Sequence, residues 1–146
     1  MLKRVSIKGV VIGSVADILA SNLLAIPFFI YIAVTRGLST IPKDQIASVL
    51  LQTLRNDPVL FATQIAMGSL CSVLGGYIAA RIAKHHEVLN GSLAAFLCVG
   101  SGVYSILFSP PSLPLWQQLL LVGASPALSA FGGYLRLKSA KTKPDA

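Results

Sequence analysis

Few residues in this chain have the type and setting to do chemistry, and Asp17 stands first among them. It is the only acid inside a long apolar run, "GVVIGSVADILASNLLAIPFFIYIAV", residues 9–34. Counted from Gly9 at 1.5 Å per residue, it lies roughly 12 Å into a hydrocarbon layer about 30 Å thick. A charge near that depth costs about 2.5–3.5 kcal/mol on insertion scales. The carboxyl must therefore face other helices, find partners or hold a proton. Ser14 and Ser21, three residues before and four after, share its helical face and are expected to satisfy it. Asn22, about 140° round the helix, points elsewhere. Two roles fit such a group: a carboxylate that couples to protons or cations, or a hydrogen-bonded carboxyl that joins helices. No basic residue is embedded opposite it, and one acid makes a short relay, so the joining role is the preferred expectation. Gln64, about two turns into the next apolar run, is expected to reach another helix.

The remaining candidates carry less. His85-His86-Glu87 falls in a turn, where adjacent imidazoles reach one metal poorly and no second cluster completes a tetrahedral site; no metal and no cofactor are expected. Cys71 and Cys98 lie at similar depth on consecutive helices and could approach each other, but thiols in apolar spans are usually inert. Gln117, Gln118 and Asn90 lie near helix ends, where water is expected to reach them. There is no Gly-x-Ser-x-Gly, no His-Glu-x-x-His, no phosphate-binding glycine loop and no pair of embedded carboxylates. Catalysis is not expected.

The elements that must position these residues are plain in the composition. Of 146 residues, 54% are hydrophobic and 12% charged, and the mean hydropathy is +0.73. A soluble domain carries about a quarter charged residues, so the chain has too little polar surface to cover a water-soluble globule. Four runs approach the roughly 20 apolar residues that cross a bilayer: 9–34, 58–80, 88–108 and 114–135. They predict an all-α, four-span membrane protein forming a single domain. The first run is too long for a cleaved leader and reads as a retained helix. Lys3, Arg4, Lys8, Arg81, Lys84, Arg136, Lys138, Lys141 and Lys143 flank one side, against Arg36, Lys43 and Arg55 on the other. The positive-inside rule then puts both termini in the cytoplasm. The net charge of +7 is accounted for by topology and anionic lipid; a nucleic-acid partner is not expected.

Near its end the chain repeats itself. "SVLGGYIAARIAK" (72–84) and "SAFGGYLRLKSAK" (129–141) match at an offset of 57, which predicts a duplicated helical hairpin, spans 1–2 and 3–4, in parallel orientation. Small residues recur every fourth position: Gly68, Ser72, Gly76 and Ala80 on span 2, and Ser125, Ser129 and Gly133 on span 4. Gly9 and Gly13 do the same on span 1, and Ala94, Cys98 and Gly102 on span 3. Such stripes let helix backbones approach closely in lipid. Tyr77 and Tyr134 with Arg81 and Arg136 read as an aromatic belt and basic rim. Pro27 and Pro126 free the carbonyls of Leu23 and Val122 and favour kinks.

"GGYIAARIAKHHEVLNGSLAAFL", residues 75–97, resembles a box, Gly-Gly-Tyr-x-Ala-x-Arg-x-Ala, a short turn, then Leu-x-Gly-x-Leu, found in small uncharacterised four-helix integral membrane proteins of prokaryotes. The chain departs from it at Ala80, where glycine is expected, and at Asn90, where histidine is common. The resemblance covers under a quarter of the chain and implies fold and membrane location; it implies no activity.

One segment breaks the symmetry. In "IPKDQIASVLLQTLRND", Ile46, Val49, Leu50 and Leu54 fall at helical spacing opposite Asp44, Gln45, Ser48 and Gln52. A short amphipathic helix over about 43–55 is expected, lying on the outer surface or capping the bundle. Asn56-Asp57-Pro58 is a start signal for span 2.

Stripes on every helix beside few chemical groups favour a non-enzymatic, oligomeric or accessory scaffold subunit of a prokaryotic plasma membrane, partnered by lipid, by copies of itself or by another membrane protein. The alternative is a small dimeric secondary transporter or channel, its pore between subunits and Asp17 as its proton- or cation-coupling carboxylate.

Overall fold

A computed structural model describes residues 5–38, 41–108 and 114–142. Lys3, Arg4 and Lys143, and the 109–113 part of the connection between the last two spans, lie outside them. The described chain is helical throughout: α1 (Ile7–Thr35), α2 (Lys43–Asn56), α3 (Pro58–Ala83), α4 (Glu87–Leu93), α5 (Phe96–Phe108) and α6 (Leu115–Thr142). Four segments are long and apolar enough to cross a membrane: Ile7–Thr35, Pro58–Ala83, Glu87–Phe108 and Leu115–Ala140. Their outer faces expose Leu23, Val34, Val59 and Phe108, each more than 70% accessible. In water that would be a large unfavourable surface; against lipid it costs nothing. Both α1 and α6 run on through their prolines, Pro27 and Pro126.

Local sequence explains the helix ends. The Ser6 hydroxyl accepts from the Gly9 amide and caps α1. Asp57 accepts from the amides of Val59 (3.0 Å) and Leu60 (3.2 Å) and caps α3, with Pro58 in the first turn. The turn from α3 to α4 is tight, with Lys84 at φ 57° and His86 at φ 44°. Asn90 holds it. Its side-chain amide donates to the carbonyls of His85 (2.8 Å) and His86 (3.2 Å), while its oxygen accepts from the Ser6 amide (2.7 Å). Asn90 is fully buried, so the expectation that water reaches it is corrected: its position at a helix end is also where the start of α1 crosses over.

The third apolar run is not one helix. Between α4 and α5 the ladder tightens: the Ala94 amide donates to Asn90 and Gly91, and the Ala95 amide to Ser92. Two side chains from other helices take carbonyls there. Ser14 of α1 donates to Ala94 (2.6 Å) and Ser129 of α6 donates to Gly91 (2.7 Å). A polar side chain inserted into a helical ladder is a recognised cause of such a break.

Helix α3 is the centre, with α1 along one side and α6 along the other; α4 packs on α6 and α3, and α5 leans on α6. Glycines set these approaches. A Cβ at Gly13 would lie 2.7 Å from the Gly75 carbonyl, and one at Gly9 2.8 Å from that of Ala79. A Cβ at Gly76 would overlap the Ser129 carbonyl, and one at Gly132 that of Val73. Gly91 meets Gly133, and Gly133 meets the Glu87 carbonyl. Gly68 differs: a Cβ there meets nothing within 4 Å.

Helix α2 lies over one end of the α1–α3 pair. Its Leu54 is buried with Ile32 and Leu38, and Val49, Leu50, Phe28, Phe29 and Leu60 pack round them. An ion pair between Arg36 and Asp57, 2.5 Å long, joins the end of α1 to the start of α3 beside this cluster.

Candidate functional site

Asp17 is 1% exposed. Close α1–α3 packing places it: a Cβ at Gly75 would lie 2.7 Å from the Asp17 Cβ, so the acid sits at a close approach of the two helices. Three donors reach the carboxylate from three helices. Ser72 Oγ of α3 and Cys98 Sγ of α5 each lie 3.2 Å from Oδ2, and Ser21 Oγ, one turn along α1, lies 3.5 Å from Oδ1. None of the three is charged.

Beside the carboxylate a cavity of about 470 Å³ opens between α1, α3, α5 and α6. Asp17, Ser21, Gln64, Ser69, Ser72 and Ser125 supply its polar lining, and Phe61, Ile65, Leu120, Leu121 and Leu128 much of the rest. Among the described residues no Lys, Arg, His or second acid lines it. The Ser125 hydroxyl is buried and has no hydrogen-bond partner among the described residues, a condition that costs about 1–3 kcal/mol unless something fills the space. A second cavity of about 190 Å³ adjoins along Ser21, Gln64 and Gly68 and runs under Phe28, Phe29 and Met67 to Cys71.

The structure thus brings together Asp17, Ser21, Ser72, Cys98, Gln64, Gly68 and Ser125, but separates Ser14 from them. Ser14 lies on the acid's helical face, yet its hydroxyl lies 2.8 Å from the Val10 carbonyl and 2.6 Å from that of Ala94. The reading of Ser14 as a partner of Asp17 is corrected: the break before α5 presents a nearer acceptor. Gln64 is exposed on the cavity wall. Gly68 lines both cavities, whereas Gly9, Gly13, Gly76, Ser129 and Gly133 hold helix contacts. Cys71 and Cys98 are both free thiols. Sequence reasoning missed the roles of Ser72 and Cys98 toward Asp17; they are 55 and 81 residues away from it, and only their similar depth hinted at the meeting.

Among the described residues no three His, Cys, Asp or Glu side chains gather as a metal site needs. Chemically, the arrangement is a carboxyl held by neutral donors beside a mostly apolar space large enough for a small molecule, since such sites run from about 300 to 1,000 Å³. The class so defined is a helical chain with four segments able to cross a membrane and one buried acid beside a half-open cavity. No family model matches the chain, and the comparisons with curated proteins and with solved structures gave no match.

Proposed function

We propose that the chain is a small multi-pass carrier of the prokaryotic plasma membrane, with both termini cytoplasmic and Asp17 as its proton- or cation-coupling carboxylate. One observation carries the reading: among the described residues Asp17 is the only acid beyond the first residue of any span, and it is buried at the wall of a cavity lined by no Lys, Arg or His. A carboxyl meant only to join helices needs no cavity beside it; this one, though 1% exposed, lies in the wall of one. Carrier folds place such groups near the midplane between repeats. The duplicated hairpin belongs to the same proposal, and the paired roles of Gly75-Gly76 and Gly132-Gly133 support it. The likeness of residues 75–97 to small prokaryotic four-helix membrane proteins agrees with the location.

The test is ion-gradient-driven flux in liposomes containing the purified chain. Flux that responds to an imposed proton or sodium gradient, and is lost in Asp17→Asn while the variant keeps its helicity and size, is expected. Equal flux in the variant ends the coupling role.

A second reading, a scaffold subunit, is favoured by Gly100 and Gly123. A Cβ at either meets nothing within 4 Å, leaving small residues of α5 and α6 free to approach another helix. The striped glycines of α1, α3 and α6, Gly68 apart, are spent inside the chain. A Gly100→Leu, Gly123→Leu double variant that changes oligomer size in mild detergent would support it.

A further inference from the structure

We propose, resting on the carrier reading, that the occupant of the Asp17 cavity is a lipophilic organic cation: a substituted ammonium or phosphonium ion whose charge meets Asp17 and whose hydrocarbon fills the space beside it. Charge comes first. Asp17 accepts from Ser21, Ser72 and Cys98, all neutral, and among the described residues neither Lys, Arg nor His lines the cavity. Once ionised in that setting, the carboxylate attracts a cation more strongly than it would in water.

Size and lining then choose the kind of cation. A bare sodium or magnesium ion needs a close shell of oxygens, about six at 2.0–2.1 Å for magnesium. Here the oxygens are spread over a cavity of about 470 Å³ in which Phe61, Ile65, Leu120, Leu121 and Leu128 face the same space. That volume suits a molecule, and the apolar walls suit one that has shed its water. The unpartnered Ser125 hydroxyl, on the same wall, offers a hydrogen bond to a polar substituent of that molecule. Other titratable groups do not compete for the charge: Cys98 of α5 already donates to Asp17, Cys71 of α3 faces the neighbouring cavity, and α4 and α6 bring none to it.

The experiment is equilibrium binding of tetraphenylphosphonium to the full chain in lipid nanodiscs, with tetraphenylborate as a probe of equal shape and opposite charge. Saturable binding of the cation alone is expected, weakened about tenfold or more in Asp17→Asn. Ala124→Phe, which narrows the cavity and leaves the carboxyl in place, should weaken it similarly. Equal binding by Asp17→Asn, equal binding of the borate, or full displacement by millimolar potassium or sodium would overturn the proposal. Gradient-driven flux that depends on Asp17, without phosphonium binding, would overturn the cation class and leave the carrier reading standing. Loss of both would remove the two together.

Discussion

Ser72 Oγ of α3 donates to Asp17 Oδ2 of α1 across 3.2 Å, inside the helix pair whose backbones close in at Gly13 and Gly75. The bond joins the bundle's one embedded acid to its central helix. Ser72→Ala should therefore cost about 0.6–1.7 kcal/mol, the range measured for hydrogen bonds between helices in membranes, read from denaturation in mixed micelles. Asp17→Asn keeps an acceptor for Ser72 and Cys98 and should cost little more. Asp17→Leu leaves both donors without an acceptor and should cost clearly more than either.

Glycines of similar appearance divide by what their missing Cβ would meet. Gly75→Ala places a methyl 2.7 Å from the Asp17 Cβ, and Gly13→Ala places one 2.7 Å from the Gly75 carbonyl. Each should destabilise by about 1–3 kcal/mol, the cost of overpacking. Gly68→Ala meets nothing within 4 Å and should be neutral or stabilising by about 0.5–1 kcal/mol, because alanine suits a helix interior better. Unfolding of the three variants in one micelle system checks the split; equal effects would contradict it.

The α3–α4 turn depends on one side chain. Asn90→Ala would orphan the Ser6 amide and release the carbonyl of His85, while the His86 carbonyl keeps the Asn90 backbone amide. Each buried group left unpaired costs about 1–3 kcal/mol. A loss of at least about 2 kcal/mol is expected, with faster hydrogen exchange at Ser6 and in the first turn of α4, measured by mass spectrometry.

At the other end of the molecule, Asp57 does two things and Arg36 one. Arg36 is half exposed, and its pairing should be worth less than about 1 kcal/mol. Asp57 also caps α3 through Val59 and Leu60, which adds about 1 kcal/mol. Asp57→Ala should thus lower stability more than Arg36→Ala, and raised salt should narrow the gap only slightly, since the cap is local.

How far the sequence was legible follows from which forces are local. The long apolar runs, the Asp57-Pro58 start and the burial of Asp17 all depend on residues next to one another, and they read directly. So did the Ser21 contact, one turn along the same helix. Ser14 shares that face too, but its hydroxyl goes to Ala94, a carbonyl made available by a break in a different helix. Neither that break nor the burial of Asn90 has a local cause, since Ser129 and Ser6 arrive from afar. The doubled glycines were legible as packing residues but not as a division of labour. Neighbouring residues lie about 100° apart round a helix, so Gly75 receives α1 while Gly76 receives α6; on α6, Gly132 receives α3 and Gly133 receives α4. Only the assembled bundle shows that two glycines in a row let two helices close in at one level.

Infrared difference spectroscopy on the protein in lipid tests most directly whether Asp17 is an anionic site facing an accessible cavity. Perfusing tetraphenylphosphonium over the sample should shift a carboxylate stretching band, and that signal should vanish in Asp17→Asn. A spectrum that the cation leaves unchanged, or that the variant reproduces, would contradict the account.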